Sequence, residues 1–62
     1  MDRKKLLRHL EKHGCRLYRE GSKHTLFINP YNNKVTTIPR HREIVNFLVS
    51  KICKDLDVDL PK

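Results

Sequence analysis

Sixty-two residues make one small domain, residues 1–62, and 37% hydrophobic positions supply a single thin core. Fourteen Lys and Arg against seven Asp and Glu give a net charge of +7 and a pI near 9.9. No apolar run approaches the roughly 18 residues that span a bilayer, and Met1–Lys5 leads into an amphipathic segment rather than a secretory leader. The expectation therefore excludes membrane proteins, secreted proteins and most large cofactor enzymes.

Residues 2–13 read as a helix. Asp2 is a candidate N-cap, Leu6, Leu7 and Leu10 form a narrow apolar stripe, and Gly14 supplies a left-handed stop. Residues 15–20 alternate as a strand, with Cys15, Leu17 and Arg19 expected on one side and Arg16, Tyr18 and Glu20 on the other. Gly21-Ser22-Lys23 is a turn. Residues 24–29 read as a second strand, Pro30–Asn33 as the clearest turn in the chain, and residues 34–38 as a third strand closed by Pro39. From about Ile44 to Leu56 the pattern is helical, with Phe47, Leu48, Ile52 and Leu56 three or four apart. Asn46 is a candidate N-cap that moves the start towards residue 46. Residues 57–62 read as a loosely held tail.

This order predicts an α+β fold. It is a two-layer α-β-β-β-α arrangement: a three-stranded antiparallel sheet with both helices on one face and the other face open to a partner. The parity of the second strand stays open. If Leu26 and Ile28 are core, His24 points toward the helices; if Phe27 is core, His24 looks out from the open face.

Charge points to the partner. Residues 55–62 hold Asp55, Asp57 and Asp59 against Lys62, so residues 1–54 carry +9. Such a surface attracts polyanions, of which nucleic acid is the commonest. Other chemistries find less support. His9 and His13 share a helix side at a spacing suited to zinc, with Cys15 and Cys53 as the remaining candidate ligands. No paired Cys/His knuckle exists, however, and solvated histidines on a basic helix are the plainer reading, so no metal is expected. Cys15 and Cys53 read as buried thiols of a reducing, cytoplasmic environment. Gly14 and Gly21 are too few for a phosphate-cradling loop, and no nucleotide cofactor is expected. Ser22 beside His24 has no marked acid partner. His41 is expected to cap the second helix, pair with Glu43, or touch a phosphate.

His24 opens a strand after a Gly-Ser turn, beside Lys23 and across the hairpin from Arg19. One imidazole that moves a proton, with cations to steady a charged phosphorane, suffices to cleave RNA at its own 2′-hydroxyl without a metal. A packing histidine between strands fits the same residues.

Gly21-Ser22-Lys23-His24 resembles the G-S-x-H signature of HicA-type toxins, small mRNA interferases of type II toxin-antitoxin systems. Ile38-Pro39-Arg40-His41 with Glu43-Ile44, and Leu6, Leu7, Leu10 and Gly14, resemble that family's flanking patterns in order and spacing. The resemblance implies a fold like that of double-stranded-RNA-binding domains. It implies a ribonuclease acting on mRNA, with His24 as catalytic histidine. It also implies a HicB-type antitoxin that masks the histidine in a larger hetero-oligomer; the free toxin is expected to be a monomer. Asp57-Val58 and Val45-Asn46-Phe47 depart from the family's pattern around the last helix. The cations expected to hold RNA phosphates are Lys4, Lys5, Arg16, Arg19, Lys23, Arg40 and Arg42. A non-catalytic RNA-binding module of the same fold, and an interaction protein docking an acidic partner, are the competing readings.

Overall fold

The computed structural model describes residues 1–61. The elements are α1 (Arg3–Lys12), β1 (Arg16–Glu20), β2 (His24–Asn29), β3 (Lys34–Pro39) and α2 (Asn46–Asp55), and the strands lie in the order β1-β2-β3. Both strand pairs are antiparallel. Among the described residues no helix is long and apolar enough to cross a membrane.

Local chemistry sets the boundaries. The Lys4 amide donates to Asp2 Oδ1 at 2.7 Å, so Asp2 caps α1 as its sequence position predicts. Gly14 follows the helix at φ +90°, a conformation that costs a residue with a side chain about 1–2 kcal/mol. Val45, not Asn46, occupies the N-cap of α2 and offers no side-chain bond, and Asn46 is the first helical residue. Asp57 stands at φ 57° past the end of α2, where the Val58 amide bonds back to the Cys53 carbonyl at 2.9 Å. This is a helix stop made without glycine.

The core is Leu6 and Leu10 of α1, Cys15, Phe27, Ile38, Ile44, and Val49, Ile52, Cys53 and Leu56 of α2 and its end. Positions 49, 52, 53 and 56 form the i, i+3, i+4, i+7 stripe. Phe47 lies two residues, about 200°, around the helix from Val49 and is 80% exposed. The expected placing of Phe47 on the apolar face is thus corrected: a helix that starts at Asn46 aims its second residue at solvent.

Thr25, Phe27, Asn29, Thr36 and Ile38 are the buried positions of β2 and β3. Both helices reach this one side: Arg3 bonds Thr25, Asp55 accepts from Thr36, and Asn29 bonds the Leu56 carbonyl. This settles the parity of β2. Phe27 is core, and His24, Leu26 and Ile28 line the open face.

Asn29 joins the two layers. Its Nδ2 donates to the Leu56 carbonyl at 2.8 Å, its Oδ1 accepts the Tyr31 amide at 3.1 Å, and it is 6% exposed. Asn29→Ala removes both bonds from a buried site. It is expected to cost about 1–3 kcal/mol, read as a lower urea midpoint at unchanged slope. A loss under about 0.5 kcal/mol, the usual range for surface changes, would show that water replaces these bonds.

Residues beyond α2 run back along α1. Val58 packs on the core, and His9 Nε2 lies 2.6 Å from the Asp59 carbonyl oxygen. A carbonyl only accepts, so this contact makes Nε2 the protonated ring nitrogen. The His9 and His13 rings stand 4.5 Å apart. Among the described residues no three His, Cys, Asp or Glu side chains converge as a metal-binding group. Cys15 and Cys53 are buried free thiols, and burial pushes both thiols' pKa values up.

Candidate nucleic-acid interface

The register of β1 against β2 decides which cations share a face with His24. Arg16 pairs with Ile28 and Leu17 with Phe27. The register then slips, so that Arg19 pairs with Leu26 and Glu20 with Thr25. Cross-strand partners share a sheet face. Arg16 and Arg19 therefore both stand on the open face with His24, and Leu17 and Glu20 turn toward the helix side. The clean alternation expected for residues 15–20 is corrected here. Tyr18 is the extra residue of a β-bulge, which shifts the chain by one position and returns Arg19 to the side of Arg16.

The open face thus reads in rows. His24 lies opposite Pro39, Leu26 between Arg19 and Thr37, and Ile28 between Arg16 and Val35. Rows of one face are about 7 Å apart along a strand. His24, Arg19 and Arg16 form a line that starts at the β1–β2 turn, with Arg19 diagonal to the imidazole. His24 and Lys23 are exposed. Among the described residues, the side chains of His24, Lys23, Arg16, Arg19, Lys4, Lys5 and Arg42 have no hydrogen-bond or ion-pair partner, which leaves them free to meet a ligand.

Around the same end of the sheet, a cavity of about 350 Å³ is lined by Asp2, Arg3, Lys4, Arg40 and Arg42. Lys4 and Arg42 are its unpaired cations. Lys5 is exposed on α1 but does not line this cavity.

Arg40 behaves differently. Its guanidinium donates to Glu20 Oε1 at 2.6 Å, to the Ser22 carbonyl at 3.3 Å and to the Gly21 carbonyl. Glu20 Oε1 also accepts from Thr25 Oγ1 at 2.7 Å, and Thr25 Oγ1 accepts from Arg3 Nη2 at 2.8 Å. Arg3 Nε reaches the Pro39 carbonyl at 3.0 Å. The Thr25 hydroxyl and then Arg40 hold the Glu20 carboxyl below the usual glutamate range. A lowered folded-state pKa stabilises the fold above the ordinary carboxylate range. That contribution disappears as pH falls through the lowered value, so the network is intact at neutral pH and loosens in acid. Neither Arg3 nor Glu20 stands out in the sequence. Their partners lie up to 36 residues away, beyond the reach of local patterns.

His41 neither caps α2, whose N-cap is Val45, nor pairs with Glu43, which bonds the Met1 ammonium at 2.8 Å.

A family model described as HicA toxin of bacterial toxin-antitoxin matches residues 3–58 of the chain. The chain belongs to the HicA toxin family. The match runs from the first residue of α1 past the end of α2, so it takes in every element of the fold, the β1–β2 turn and the line of His24, Arg19 and Arg16. HicA proteins are the toxins of toxin-antitoxin pairs, and a partnership with an antitoxin follows from membership. No curated protein and no solved structure matches the chain.

Proposed function

We propose that this HicA-family toxin is a cytoplasmic endoribonuclease that cleaves mRNA with His24 as its catalytic residue and needs no metal. The observation that carries this reading is the shared face. The bulge in β1 sets two unpaired arginines in line with an exposed, unpartnered imidazole on a sheet surface that no helix covers.

The chemistry needs little else. The RNA strand lies along the open face with its phosphates on Arg19 and Arg16, and with Lys23, Lys4 and Arg42 around the His24 end. The neutral His24 imidazole takes the proton of a 2′-hydroxyl as that oxygen attacks the adjacent phosphorus. The P–O2′ bond forms, the P–O5′ bond breaks, and the imidazolium returns the proton to the departing 5′ oxygen. The products are a 2′,3′-cyclic phosphate and a 5′-hydroxyl. Arg19 and Lys23 stabilise the extra negative charge of the phosphorane. Tyr18 and Tyr31 are the exposed aromatics other than Phe47, so base stacking contributes little and cleavage is loosely selective. The antitoxin of the pair is of the HicB type and silences the toxin by covering His24.

The test is a long incubation of the purified chain, free of antitoxin, with single-stranded RNA in excess EDTA. Cleavage to cyclic-phosphate ends that persists in chelator is expected. Intact RNA accompanied by binding that weakens steeply with salt would overturn the catalytic reading in favour of a non-catalytic RNA-binding module.

A further inference from the structure

We propose that Arg40 is a positioning residue that clamps the β1–β2 turn and sets where the His24 imidazole stands, rather than a ligand of RNA. The effect on cleavage rests on the ribonuclease reading above; the clamp itself does not.

The hydrogen bonds surround His24 without touching its ring. On the N-terminal side, the guanidinium of Arg40 ties together Glu20, Gly21 and Ser22, the three residues that lead into the turn. Inside the turn, the Gly21 amide donates to the His24 carbonyl at 2.9 Å. On the C-terminal side, Thr25 is held between Glu20 and Arg3. Across the sheet, Pro39, the strand partner of His24, offers its carbonyl to Arg3. Every backbone neighbour of His24 except Lys23 is therefore fixed by one connected network, and Arg40 is the member that reaches the turn.

Arginine suits this task because its planar fork presents several donors in fixed directions. A lysine has three donors on one atom and cannot span a carboxylate and two carbonyls. The free cations Lys4 and Arg42 beside it have no such engagement and remain the ligands for phosphate. Arg40 is also partly exposed, with 42% of its side chain accessible, so its loss removes a surface network and leaves the core intact.

The experiment compares Arg40→Ala, Arg40→Lys and Arg42→Ala with the full wild-type chain in three readouts. These are kcat on RNA in EDTA, RNA affinity as a function of salt, and hydrogen exchange of the Gly21 amide. Arg40→Ala is expected to lower kcat on the order of 10–100-fold, the scale of a misplaced reacting group, with RNA affinity within about twofold and an unchanged salt slope. Its Gly21 amide exchanges faster, and Arg40→Lys does not rescue either effect. Arg42→Ala is expected to weaken binding and reduce the salt slope by about 0.7, the single-strand value for one phosphate contact, with Gly21 protection unchanged. The assignment is overturned if Arg40→Ala loses affinity and salt dependence while kcat and Gly21 protection stay at wild-type values. It is equally overturned if Arg40→Lys restores kcat. Should the wild-type chain fail to cleave RNA, the ribonuclease reading falls, and Gly21 exchange alone decides the clamp: faster in Arg40→Ala supports it, unchanged overturns it.

Discussion

His24→Ala is expected to abolish RNA cleavage by the purified chain and the growth arrest caused by its expression. Proton transfer by one positioned side chain is worth about 10²–10⁴-fold in rate. Of His24, Arg19 and Arg16, only His24 carries an imidazole, so the loss falls at the upper end. The fold should survive. The His24 ring is exposed and has no hydrogen-bond partner among the described residues, and the backbone bond from the Gly21 amide to its carbonyl is independent of the side chain. On the proposed reading the arginines and lysines set RNA affinity, which should hardly move. A variant that cut RNA at the wild-type rate would remove His24 from the chemistry. A variant that lost both its circular dichroism spectrum and its activity would show that the ring is structural.

Leu10→Ala is expected to remove most of the stability of the domain. Leu10 is fully buried, and truncating such a leucine costs about 2–5 kcal/mol. A chain of this length has on the order of 3–9 kcal/mol in total, so one substitution brings it close to unfolding. Phe47→Ala, although it deletes a larger side chain, should change stability by less than about 0.5 kcal/mol because the ring is already in water. Urea denaturation of the two variants checks this contrast. Equal losses would mean that the apolar face of α2 includes Phe47 after all.

The elements themselves were legible in the sequence because their signals are local. Asp2 before a leucine stripe, Gly14 after it, and Pro30 and the asparagines between two branched runs each act within a few residues, and the helices and strands begin and end close to those marks. Side-chain placement was less legible. Either face of β2 offers an apolar set, Leu26 and Ile28 or Phe27, and alternation cannot choose between them. The choice is made by Thr25 and Asn29. Each is buried because a distant group, Arg3 or the Leu56 carbonyl, satisfies its polar atoms. The bulge at Tyr18 has no glycine or proline to announce it, so simple alternation assigns Arg19 to the wrong face. Arg40 sits in a Pro-Arg-His run that resembles a family pattern and is expected among the phosphate-holding cations, and only the folded chain shows its donors meeting Glu20 and two carbonyls of the turn. The family resemblance carried by Gly21–His24 was legible early, since it depends on residue order and not on geometry.

The molecule measures 29 × 27 × 16 Å along its principal axes. Among the described residues, a sheet backed by one tier of helices fills the short dimension and leaves its other surface uncovered. Among the described residues no element folds over the face that carries His24. On the ribonuclease reading proposed above, an uncovered His24 leaves dormancy to a second molecule laid across the sheet.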